Sequence, residues 1–157
     1  MHSSQDVSDI VADRGLIPRE LQRFYDLVNS TRAEGVVVLS GDRHIGAIYK
    51  EEGGREYSVG GVDEGPFRLP YPITEVTASS FTHTWAGNGG EDEAGPNRLG
   101  PLIHVNNFAI VSFDWERAEI TARIHKAEKT QMQREADQGT VLQSVTIPIA
   151  ELRGAGW

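Results

Sequence analysis

The chain contains no cysteine, which removes disulfides, thiolate nucleophiles and Cys-ligated zinc from consideration. It does not fix a compartment, because an exported chain need not carry cysteine. No window approaches the roughly 18 uninterrupted apolar residues that a membrane-spanning helix requires. The opening stretch MHSSQDVSDIVADRG holds Asp6, Asp9 and Asp13 and lacks the apolar core of a signal peptide, so no export segment is expected in it. Basic blocks are missing too. With 15 Lys and Arg against 23 Asp and Glu, the net charge is -8, the pI is near 5.1, and nothing basic is gathered to track a phosphate backbone. The glycine-rich stretch GNGGEDEAG lacks the Gly-Lys-Ser/Thr ending of a phosphate loop. No Ser/His/Asp order with a nucleophile elbow occurs, so serine catalysis is not expected.

What is present is a globular composition. At 157 residues, 38% hydrophobic and 24% charged, the chain suits one folded unit with one core. We find no internal repeat. From Ile17 onward, Leu21, Phe24, Tyr25 and Val28 recur at the spacing of one helical face, which predicts a helix. Pro18 suits its first turn, and Gly35 suits the reversal after its end. Val36 to Leu39 reads as a short strand covered on both faces. Further on, NNFAIVSFDW and the alternating AEITARIH read as half-exposed antiparallel strands joined by the tetrad Trp115 to Ala118. A second turn, Ala136 to Gly139, leads into TVLQSVTIPI and completes a three-stranded meander. The intervening EEGGREY, GGVDEGPFRLPYP and GNGGEDEAGPNRLGP, between Lys50 and Asn106, read as loops.

The chemistry gathers where the first strand ends, in Gly41-Asp42-Arg43-His44. On a backbone that is still extended, positions two apart point to one side, so Asp42 and His44 are expected to converge and Arg43 to point away into solvent. A carboxylate oxygen with a neutral imidazole nitrogen suits iron, zinc, manganese and similar ions. The same spacing also suits a capped turn in which Asp42 accepts backbone N-H bonds and His44 fills a polar niche. Two ligands do not complete a catalytic site, which usually takes at least three from protein.

Three separated stretches, GVVVLSGDRHIGAIYK, YPITEVTASSFTHTW and RLGPLIHVNNFAIVSFDW, occur in the order found in the C-terminal part of the PhoD-like alkaline phosphatases and phosphodiesterases, and the chain resembles that branch of the calcineurin-like metallophosphoesterases from about Pro18 to Trp115. The helix PRELQRFYDLV before the first strand resembles the family as well. The resemblance implies the C-terminal part of a calcineurin-like α/β/β/α sandwich over residues 18–157, with residues 1–17 a disordered or truncated segment. It implies hydrolysis of small phosphoesters with iron, calcium, zinc or manganese ions, His44 and Asp42 acting as metal ligands in the last metal motif. His83 would be a donor or acid at the phosphate pocket. The family's upstream Asp-x-His, Gly-Asp-x-x-Asp and Gly-Asn-His segments are not found before residue 36, so this chain is expected to carry only the last metal motif. Relatives of this kind are often exported. The sequence leaves the oligomeric state open.

Other residues carry plainer expectations. His83 and Trp85 also suit packing after a strand, and Ser79, Ser80 and Thr82 suit strand-end hydroxyls bonded to backbone. His104 and His125 stand alone and are read as non-ligands. Asn106 and Asn107 suit a cap or turn. Glu91, Asp92 and Glu93 read as a solvated loop rather than a calcium site. Ala109, where the family commonly has glycine, implies a backbone without positive φ. The competing function is a non-catalytic α/β domain that binds a ligand or partner through the Lys50 to Asn106 loops.

Overall fold

A computed structural model describes residues 18–53, 56–57, 67–84, 97–127 and 139–154. The N-terminal segment 1–17, Trp85, the acidic run Glu91 to Glu93, much of the expected loops and Ala136 to Gln138 lie outside those residues.

Helix α1 spans Pro18–Thr31 and starts where proline costs no hydrogen bond. Leu21, Tyr25 and Val28 are buried and Phe24 packs beside them, so the expected face is the one turned inward. The helix does not close on Gly35. Arg32 takes the left-handed conformation at φ 53, and the amides of Arg32 and Ala33 reach back to the carbonyls of Asn29 and Val28, each at 3.2 Å. This pairing is a Schellman closure with arginine in the usual glycine position. Gly35, at φ 76, makes the next change of direction three residues later.

Four strands form the central sheet: β1 (Val37–Ser40), β2 (Gly46–Glu51), β5 (Ile73–Ala78) and β6 (Arg98–Ile103). Their order is β1-β5-β2-β6, with β1 parallel to β5 and the other pairings antiparallel. The short β3 (Glu56–Tyr57) and β4 (Phe67–Arg68) pair with each other. Several of these strands fall where loops were expected. The stretch from Arg98 to Pro101 belongs to β6 despite its Gly and Pro, because β2 offers a hydrogen-bonding edge that local composition does not reveal. The same applies to β3 and β4, which pair with each other, whereas β2, for which the sequence carried no assignment beyond Glu51, lies at the interior of the sheet between β5 and β6.

A second sheet is the expected meander, β7 (Asn107–Asp114), β8 (Glu119–Lys126) and β9 (Val141–Pro148), all antiparallel. Its first turn is the Trp115 to Ala118 tetrad. There Asp114 Oδ1 accepts from the amides of Glu116 and Arg117 at 3.1 and 2.9 Å, and Ala118 turns the chain at φ 53. Ala109 sits within β7 and is not among the residues of positive φ, as the sequence implied.

Alternation along β2 shows how the layers stack. Ala47 and Tyr49 join the cluster built on α1 residues Leu21, Tyr25 and Val28. Ile48, between them, joins Val76, Ala122 and Ile124 in the cluster formed with the meander. The central sheet is thus covered by the helix on one face and by the second sheet on the other. The fold is mixed α/β, mostly strand, with one helix among the described residues. Strand β1 departs from expectation: Val38 is buried but Leu39 is 64% exposed, since β1 is the rim of the sheet and the meander does not extend over it.

A four-residue 3-10 turn, Ile149–Leu152, follows β9 and returns to the start of the sheet. Its Leu152 is buried in the helix cluster, and the Leu152 carbonyl accepts from the Gly35 amide at 2.9 Å. No helix among the described residues is long and apolar enough to cross a membrane.

Candidate functional site: the corner after the first strand

Because β1 and β5 are parallel neighbours, paired from Val37↔Thr74 to Ser40↔Thr77, they end on the same edge of the sheet. Their following segments, residues 41–45 and 79–84, therefore run side by side. The Ser79 amide donates to the Ile45 carbonyl at 3.1 Å, and the Ser79 hydroxyl donates to the same oxygen at 3.3 Å. A third segment closes in from the start of β7. The Asn107 amide donates to the Ser80 carbonyl at 3.1 Å, and Asn106 Nδ2 donates to the Phe81 carbonyl at 3.4 Å.

Within this frame the corner is not extended. Asp42 and His44 have φ of 75 and 56, so the alternation argument that paired them does not describe their backbone. Chain reversal does so instead, through two left-handed residues separated by Arg43. Such conformations cost on the order of 1–2 kcal/mol each for residues with a Cβ, less for Asp, and persist where surrounding contacts impose them. Gly46 imposes one such contact. A Cβ there would lie 3.1 Å from the Asn107 side chain, so the corner enters β2 against a wholly buried asparagine.

His44 is half-buried, and its Nδ1 is buried without a hydrogen-bond partner. Its ring packs on His83, the centroids 4.1 Å apart and the planes inclined at 34°. Asp42 is exposed, as is His83. The structure thus joins His83 to His44, two residues that sequence reasoning singled out separately. The signal for that contact was the pairing of two apolar runs, VVVL and ITEVTA, as parallel neighbours. Among the described residues no group of three or more His, Asp or Glu comes together in a metal-ligating cluster.

The remaining expectations divide. Arg43 does not point into solvent; its Nη1 donates to the Tyr49 hydroxyl at 3.4 Å, because the reversal swings it over the sheet. Ser79 bonds to backbone as anticipated, whereas Ser80 is fully buried and its hydroxyl has no partner; Thr82 is exposed. His104 is exposed. His125 is bound elsewhere: its Nδ1 is 2.6 Å from the Gly139 carbonyl and its ring stacks on Phe108 at 5.3 Å. Asn107 begins β7 rather than turning the chain. Its Nδ2 donates to the Val105 carbonyl at 2.8 Å, and its role as a strut behind Gly46 was not visible from sequence.

Chemically, the corner offers two imidazoles in contact and a nearby carboxylate, at the C-terminal ends of parallel strands where ligands of α/β sheets tend to bind. Neutral imidazole nitrogen and carboxylate oxygen suit zinc, iron or manganese. No family model matches this chain, and neither a curated protein nor a solved structure is similar enough to be paired with it.

Proposed function

We propose that the Gly41 to His44 corner is one metal-binding edge of a PhoD-like phosphoester hydrolase, with His44 and Asp42 as ligands and His83 beside them at the substrate. The observation that carries the reading is the backbone: two left-handed residues with side chains, at a strand end, present the groups that the metal chemistry needs. The buried Nδ1 of His44, without a partner, supports it further. The order of layers, helix then mixed sheet then antiparallel sheet, is compatible with part of a calcineurin-like α/β/β/α sandwich.

The residues suit part of a ligand set. His44 and Asp42 would hold an iron, zinc, manganese or calcium ion at this edge. When bound, such ions lower the pKa of water and neutralise charge on phosphoryl oxygens. His83, exposed and in ring contact with His44, would hold a proton near the leaving oxygen of a small phosphomonoester or diester. Arg43, tied to Tyr49, would keep the reversal rigid.

A manganese titration followed by NMR tests this without requiring turnover. Paramagnetic broadening is expected to centre on residues 41–46 and 79–84, and to be lost in His44→Ala. Broadening elsewhere, or unchanged in His44→Ala, would favour the competing reading, an α/β domain that binds a ligand or partner without catalysis.

A further inference from the structure

The corner has two arms, and Asn107 touches both. One arm, residues 41–46, carries His44; the other, residues 79–84, carries His83. The Asn107 amide donates to the Ser80 carbonyl at 3.1 Å, which fixes the second arm shortly before His83. Its side chain meets the first arm at Gly46, just after His44: a Cβ there would lie 3.1 Å from Cγ, Oδ1 and Nδ2 alike. Equal distances to all three atoms put that Cβ position over the flat face of the carboxamide rather than at its edge. We propose that Asn107 is the positioning residue of this corner, setting how closely the His44 and His83 rings approach and hence how the corner presents its ligands to an ion. The effect on the ion rests on the metal-binding role proposed above, whereas the effect on the ring contact is independent of it.

Shape and bonding together select asparagine at this place. The residue is wholly buried, its Nδ2 donates to the Val105 carbonyl at 2.8 Å, and its Oδ1 is buried without a partner. A buried acceptor left unpaired is costly, and a structure that keeps one has a reason for it. Here the reason is flatness. A planar carboxamide is thin enough to lie against a glycine while its N-H anchors it to Val105. Leucine branches tetrahedrally at Cγ and would thrust a methyl at Gly46, and alanine would leave the first arm room to slide. Asn106 reinforces the joint. Its Nδ2 donates to the Phe81 carbonyl at 3.4 Å, and its own carbonyl accepts from the Ala127 amide at 2.7 Å, so the second arm is tied through it to the end of β8. The imidazoles meet at 4.1 Å between centroids, and His44 Nδ1 makes no hydrogen bond that would hold its ring in place by itself. Placement of the two backbones therefore sets the contact.

NMR of the full chain reads that contact as NOEs between the imidazole C-H protons of His44 and His83, recorded without metal. Asn107→Ala and Asn107→Leu are expected to lose these NOEs while the amides of β8 keep their dispersion. Gly46→Ala, which presses on the same carboxamide face from the other side, should lose them too. Gly46→Ala combined with Asn107→Ala should regain them, because the new methyl enters the space that the carboxamide leaves. Manganese affinity at the corner should follow the same order, falling about tenfold in each single variant and recovering in the double. The proposal is overturned if the NOEs persist in Asn107→Ala, or if the double variant shows no more of them than either single one. If Asn107→Leu does not fold, Asn107→Ala and the double variant still decide. A parent that binds no manganese overturns the metal-binding role alone, and the NOEs then settle the case for or against Asn107.

Discussion

Asp42 and His44 show what single residues contribute here, because each adopts a left-handed backbone that its Cβ disfavours. Asp42 is exposed, so Asp42→Gly removes strain without removing packing. It is expected to raise unfolding stability by about 0.5–1 kcal/mol in urea titration while abolishing manganese broadening at the corner. Tyr71 supplies a second case. It is buried, and its hydroxyl donates to the Ala33 carbonyl at 2.6 Å. Burial, chiefly, raises its pKa above the ordinary value of 10.0; the Val36 backbone acts the other way, and the Glu34 carboxylate adds to the rise. The unfolded chain therefore loses this proton near pH 10 while the native state still holds it. Stability should be intact below that pH and fall as pH climbs above it, and Tyr71→Phe should flatten the fall at a cost of about 1 kcal/mol at neutral pH. Of this residue-level detail, the identities of Asp42, His44 and His83 were legible in the sequence. Their positive φ was not, since neither a histidine nor its neighbours announce a left-handed turn. The contact of His44 with His83 depends on a strand pairing 37 residues away in sequence, Val37↔Thr74.

At the scale of elements, the helix was read almost completely because a 3.6-residue period and a terminal proline are local signals. Its closure was not, because Arg32 occupies the place where glycine is usual. Arg32→Gly is expected to stabilise the protein by about 0.5–1 kcal/mol, measured as a rise in Tm. The meander was legible from period-2 alternation and a four-residue turn. By contrast, β2, β3, β4 and β6 were read as loops or not singled out, since their glycine, proline and charge speak locally against strand while their partners lie far along the chain. Gly53 marks how closely these elements approach. A Cβ there would fall 2.5 Å from the Tyr71 backbone carbon, so Gly53→Ala should cost about 1–3 kcal/mol or more, read by denaturant unfolding. Main chain, unlike a flexible side-chain tip, has nowhere to retreat.

For the whole molecule, the decisive contact is between sheets. Ile48 and Ile124 are both fully buried in the cluster that joins them. Each change to alanine is expected to destabilise by about 2–4 kcal/mol, and the double variant to depart from additivity by about 0.5–3 kcal/mol, because the two share one cavity. A general α/β class was legible from composition and periodicity, whereas the order β1-β5-β2-β6 was not, since interleaving of strands leaves no trace in any short window. One tie described above governs the timing of assembly. The Gly35 amide is held by the Leu152 carbonyl, and Leu152 fills the core against α1. On a ribosome, the connection between the first helix and the first strand thus stays open until residue 152 has emerged from the exit tunnel. Closure of so long a loop is slow relative to local helix formation, so this junction is made late, after every segment between Gly35 and Leu152 has been translated.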